Sequence, residues 1–95
     1  MKVKYKVSVA VITYNHEDYI ERALLSVINQ KTSFDFEIVI GDDCSNDATS
    51  AICKKIANTY KDNVTYIRNA KNLRYINNLL NVLQHCSGEY IALLE

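Results

Sequence analysis

Four short apolar runs alternate along this chain with three segments whose apolar residues recur at helical spacing. Val7 to Ile12 is nearly continuous apolar, interrupted only by Ser8, and its β-branched content suits a strand buried on both faces. From Asp18 onward, Ile20, Ala23, Leu24, Val27 and Ile28 fall at i, i+3, i+4, i+7 and i+8, while Glu17, Asp18, Glu21 and Arg22 turn away. The spacing predicts a first helix, with Asn15 as its candidate cap and acids favourably placed in its first turn. Phe36 to Gly41 predicts a second buried strand, after which Asp47 or Ser45 offers a cap for a helix with Ile52, Ile56 and Tyr60 facing inward. Alternation at Val64, Tyr66 and Arg68 predicts a third strand with one less covered face. A third helix from about Tyr75 puts Ile76, Leu79, Leu80 and Leu83 on one face and stops near Gly88, and Tyr90 to Leu94 predicts a fourth strand.

Strand and helix in strict alternation is the pattern of right-handed crossovers and of an α/β fold, a Rossmann-like open parallel sheet with helices on both faces. Ligands of such sheets bind outside the carboxyl ends of the strands. The residues expected there are Thr13, Tyr14, Asn15 and His16 after the first strand, Asp42 to Asp47 after the second, and Arg68 to Arg74 after the third. The fourth strand runs to Leu93-Leu94-Glu95 with no covering helix after it, which reads as the front part, residues 1–95, of a larger domain.

Composition narrows the partner. Eleven basic and eleven acidic residues cancel, so no strong field steers the chain to nucleic acid or anionic lipid, and a small ligand is expected. No apolar stretch approaches the roughly 20 residues that span a bilayer, and Met1 to Lys6 lack the apolar core of a signal peptide, so the sequence reads as cytoplasmic, with attachment to the inner face of a membrane left to other parts of the parent protein. Cys44, Cys53 and Cys86 are odd in number and share no metal-ligand spacing, so reduced packing thiols are expected.

The chemistry concentrates in Asp42-Asp43-Cys44-Ser45-Asn46-Asp47, because three carboxylates at the end of a buried strand are costly to desolvate without a partner. An arbitrary Asp-Asp pair is more often a turn and cap cluster than a ligand site, and Asp47 reads as a helix cap. His16, in a polar first turn, and His85 read as solvated; Tyr19, Tyr60, Tyr66, Tyr75 and Tyr90 read as packing. Arg68, Lys71 and Arg74 are candidate phosphate contacts, and Asn72 either caps the third helix or meets a donor sugar.

Three segments in this order carry a resemblance: Val7-Ser8-Val9-Ala10-Val11-Ile12-Thr13-Tyr14-Asn15, then Asp42-Asp43-Cys44-Ser45-Asn46-Asp47-Ala48-Thr49, then Ser87-Gly88-Glu89-Tyr90-Ile91-Ala92. Together they resemble the nucleotide-sugar-binding half of glycosyltransferase family two, enzymes of the GT-A fold, over nearly the whole chain. The resemblance implies that Asp43 accepts a hydrogen bond from the imide N–H of a nucleobase, with Thr13, Tyr14, Asn15, Asp42, Asn72 and Arg74 completing the nucleotide site. A carboxylate accepts only, which suits uracil, thymine or guanine and mismatches cytosine. One charge-assisted bond of about 1.5 to 3 kcal/mol gives roughly tenfold to hundredfold preference. UDP stands first among the donors, and the acceptor implied for the complete enzyme is a glycan or lipid-linked hydroxyl.

The family's acidic metal motif, which holds Mg²⁺ or Mn²⁺ against the donor diphosphate, would begin at Glu95, and no catalytic residue falls within these 95 residues. The complete enzyme would transfer the sugar with inversion, and the chain by itself is expected to be inactive. Two positions depart from the family: Cys44 stands where a Gly is common, and Leu73-Arg74 follow Asn72 where a Gly is common. Two alternatives remain, a sugar nucleotidyltransferase, whose glycine-rich basic loop would replace the acidic Tyr14-Asn15-His16-Glu17, and a non-catalytic α/β binding or regulatory module using the Asp42 to Asp47 loop.

Overall fold

The computed structural model describes residues 5–94. In chain order these form β1 (Val7–Thr13), α1 (Ile20–Ile28), β2 (Phe36–Asp42), α2 (Thr49–Thr59), β3 (Val64–Arg68), α3 (Arg74–Gln84) and β4 (Tyr90–Leu94). The strands make one four-stranded parallel sheet in the order β3-β2-β1-β4. This is the α/β architecture expected from the alternation. Register brings the carboxyl ends level, pairing Thr13 with Asp42 and Asp42 with Arg68, so three loops share one rim.

The strand order reverses direction at β1, and right-handed crossovers then put α3 on the face opposite α1 and α2. Side chains of a strand alternate between faces, so each face draws on every second residue. On one face Val11, Ile38, Ile40 and Val64 meet Ile20 and Leu24 of α1 and Cys53 and Ile56 of α2 in the main apolar core. On the other, Ala10, Ile12 and Val39 meet Val82 of α3 in a smaller one. Gly41 lets α3 approach closely: a Cβ there would sit 2.7 Å from Asn78 Oδ1 and would overlap Val82.

The third helix buries a different stripe from the one its leucines predict. Asn78 and Val82 are fully buried and Leu79 half-buried, whereas Ile76 and Leu80 are 61% and 53% exposed. This stripe is the one that fits the gap at Gly41: Val82 packs there and Asn78 Nδ2 donates to Gly41 O at 3.0 Å. Tyr60, expected inward, lies at the exposed end of α2. β4 carries exposed Tyr90, Ile91 and Leu93. No helix among the described residues is long and apolar enough to cross a membrane.

The predicted caps are redistributed. α1 starts after Tyr19, with no side-chain cap, and Asn15 bridges two loops instead. α2 starts after Ala48, but Asp47 Oδ1 accepts from Thr49 N at 2.9 Å, so the acid serves the first turn from one residue upstream. Ser45 Oγ accepts from Asn15 N and caps nothing.

Candidate functional site

The end of β2 turns sharply. Cys44 N donates to Asp42 O at 2.8 Å, closing a three-residue turn centred on Asp43, and Asp43 N donates to Thr13 O at 2.9 Å. Asn69 N also donates to Asp42 O, tying the end of β3 to the same point. Alternation then sends the two adjacent carboxylates to opposite faces.

Asp42 is closed. It is fully buried on the α2 side, where Oδ1 accepts from Ser45 N and Oδ2 from Ser50 Oγ and from Tyr66 Oη at 2.6 Å. Burial pushes its carboxyl up, but the bonds from Ser45, Ser50 and Tyr66 outweigh that and hold it below the ordinary aspartate value. The same burial and the bond to Asp42 push the Tyr66 phenol far above its ordinary value, so it stays a donor. The nucleotide contact expected of Asp42 does not fit this placement, because its oxygens serve the loop itself and it does not line the cleft. Arg68, a candidate phosphate contact, is likewise engaged inward, donating to Ser50 Oγ and Ser45 O.

Asp43 points the other way, into a cleft of about 400 Å³ between the strand ends and α3. Ile12, Thr13, Tyr14 and His16 form one wall, and Asn72, Arg74, Tyr75 and Asn78 the other. Asp43 is only 4% exposed and its Oδ1 accepts from Leu73 N at 2.6 Å and Asn69 Nδ2 at 2.9 Å. Thus Thr13, Tyr14, Asp43, Asn72 and Arg74 converge as the sequence predicts, with Asp43 at the floor.

Asn15 does not join them. With φ at 52° it receives Asn46 N on Oδ1 and gives its own N–H to Ser45 Oγ, holding the first loop against the second from outside the cleft. His16 is exposed, as expected, and also shares a hydrogen bond with Thr13 Oγ1 at 3.0 Å and lines the wall. Asn72 Oδ1 accepts from Arg74 N at 2.9 Å, so it does serve the start of α3 while also facing the cleft.

Cys44 and Arg74 both sit at left-handed φ, 65° and 69°, at the two places where the sequence departs from a glycine pattern. The turns therefore keep a glycine-like geometry, at about 1 kcal/mol each for carrying a side chain. Cys53 is buried in the core and its thiol is pushed up to about 12 by burial and by Asp42 and Asp47, as suits an inert packing residue. Glu95 lies outside the described residues. Among those described, no group of three His, Cys, Asp or Glu could hold a metal ion.

Asn69 and Asn78, the buried amides behind Asp43, were missed by sequence reasoning. For Asn78 the available signal was the one glycine of a buried strand, Gly41, against which its helix packs; Asn69, in the loop after β3, carried none.

Residues 8–95 match the profile of Glycosyl transferase family 2. The putative glycosyltransferase EpsE of Bacillus subtilis is 36% identical over 87 residues, 92% of this chain and 31% of EpsE. Among solved structures, the mannosyltransferase PcManGT from Pyrobaculum calidifontis, in complex with GDP-Man and Mn²⁺, superposes with a TM-score of 0.80 at 27% identity over 92% of this chain and 26% of its own. S. aureus TarS 1-349 in complex with UDP gives 0.79 at 31% identity, over 94% and 26%. The chain thus spans roughly a quarter to a third of these relatives. A parallel sheet with this rim, matched by the family profile over all but its first residues, makes the conclusion plain: the chain belongs to glycosyl transferase family 2.

Proposed function

We propose that this chain supplies the nucleotide-binding half of a sugar-transferring enzyme whose donor is a nucleoside diphosphate sugar, UDP-linked first among them. The observation that carries the reading is the free edge of Asp43. One oxygen is anchored and no described residue donates to the other, Oδ2, on the floor of a cleft large enough for a nucleotide. A carboxylate oxygen so placed accepts a ring N–H and gains nothing from a ring nitrogen that is itself an acceptor. Tyr14 and Ile12 offer the apolar wall that a base needs, Thr13 and Asn72 offer ribose contacts, and Arg74 offers a cation to the diphosphate.

The complete enzyme, on this reading, passes the sugar to a hydroxyl of a glycan or lipid-linked acceptor with inversion, and the 95 residues by themselves catalyse nothing. A divalent cation, Mg²⁺ or Mn²⁺, would offset charge on the leaving diphosphate. The described residues do not provide a donor set for it, so it enters no step here. Calorimetric titration with UDP tests the reading. Binding that is lost in Asp43→Ala supports it; cation binding without nucleotide binding overturns it in favour of a non-catalytic module.

A further inference from the structure

Asp43 is an asymmetric acceptor. The bonds from Leu73 N and Asn69 Nδ2 fill both lone pairs of Oδ1. Oδ2 receives none from a described residue, yet no buried side-chain oxygen among those residues lacks a partner, so Oδ2 opens on the cleft. Asn69 is itself held: Nδ2 also donates to Asn78 Oδ1 at 2.9 Å, its backbone N donates to Asp42 O, and Asn78 is fixed to Gly41 O. Asn69 is 6% exposed and cannot swing away from Oδ1 without breaking this chain of amides.

We infer that Asn69, by occupying Oδ1, makes the cleft selective for a base with a single ring N–H between two carbonyls, uracil or thymine, over guanine. The inference rests on the reading that Asp43 accepts from the base. Guanine presents a ring N–H and an amine side by side, a pair that matches a carboxylate using both oxygens. With Oδ1 filled, one of the two donors loses its acceptor in a partly dehydrated cleft. A uracil or thymine imide needs one oxygen only. The related mannosyltransferase structure holds GDP-Man, so the fold itself admits guanine, and the inferred selectivity lies in this chain's own residues.

Titration of the chain with UDP, dTDP, GDP and CDP reads the effect directly. UDP and dTDP are expected to bind roughly tenfold or more tightly than GDP, an effect of about one unsatisfied donor. Asn69→Ala, with its folding checked by circular dichroism, is expected to narrow that ratio to about threefold or less by freeing a lone pair of Oδ1. Weakening of all four nucleotides together in the variant would instead mark Asn69 as merely structural and overturn the inference. If the variant does not fold, the ratio in the unmodified chain decides. GDP binding as tightly as UDP, and lost in Asp43→Ala, overturns the selectivity while leaving the nucleotide reading intact. Binding of none of the four overturns that reading and the inference with it.

Discussion

The two faces of the sheet are built from the same strands but bury different things. Under α1 and α2 the contacts are apolar, and the one carboxylate sent there, Asp42, is closed by three internal donors. Under α3 the apolar patch is small, and polar groups run the length of the strands: Ser8 and Glu37 near their starts, then Gly41 O, Asn78, Asn69 and Asp43 toward the rim. At the far end from the cleft Glu37 Oε2 accepts from Ser8, Ser87 N and Ser87 Oγ, which pins the turn entering β4. A sheet face sealed by hydrocarbon stabilises; one lined with fixed amides and carboxylates can also present an acceptor at a defined angle.

The contrast predicts that changes on the α1 and α2 face alter stability alone, while changes on the α3 face alter stability and ligand selectivity together. The largest effect is expected for Leu24→Ala, which empties a fully buried site in the main core and should cost about 3 kcal/mol in denaturant unfolding. UDP affinity of the folded fraction should stay within about twofold, since Leu24 touches nothing on the rim. A large loss of affinity per folded molecule would break the contrast.

Gly41→Ala is expected next, at about 2 kcal/mol, because the added methyl meets Val82 and Asn78. Displacing Asn78 also loosens Asn69, so the UDP to GDP ratio should fall in the same variant. Unchanged selectivity with reduced stability would show that the amides do not transmit position.

Asp42 gives a pH test. Its folded value lies below the ordinary 3.8, so its contribution is complete above that pH and is lost as pH falls through the folded value. Asp47 is shifted the same way, burial again opposing and Thr49 and backbone bonds prevailing, and acts in the same window. Stability measured from pH 6 to pH 2 should therefore decline below about pH 4. Asp42→Asn should cost about 1.5 kcal/mol at neutral pH and flatten part of that decline. A profile unchanged by the substitution would contradict the closed state of this carboxylate. The smallest effect is expected for Tyr66→Phe, about 1 kcal/mol with no change in nucleotide preference, as befits a donor that serves only Asp42.

Strands and helices were legible because apolar runs and helical spacing report burial directly, and their residues fall within a few positions of the observed elements. The location of the candidate cleft was legible too, since parallel sheets expose their carboxyl ends to ligands and the acids stand there. The inward stripe of α3 was not, because the face that packs is chosen by the close approach at Gly41, where Asn78 and Val82 meet the strand, and not by the row of leucines. Neither was the role of Asn15, whose left-handed backbone and loop-to-loop bonds depend on residues 30 or more positions away.

By itself the sequence determined the order of elements, the parallel sheet, the rim that carries Thr13, Tyr14 and Asp43, and membership in a family of sugar-transferring enzymes. Only the tertiary structure decided which of two adjacent aspartates closes the loop and which faces the cleft, and which oxygen of the second receives no donor from a described residue. Those choices follow from strand alternation meeting different helices on the two faces, and from amide partners drawn from β3 and α3, contacts that no local pattern in the chain encodes.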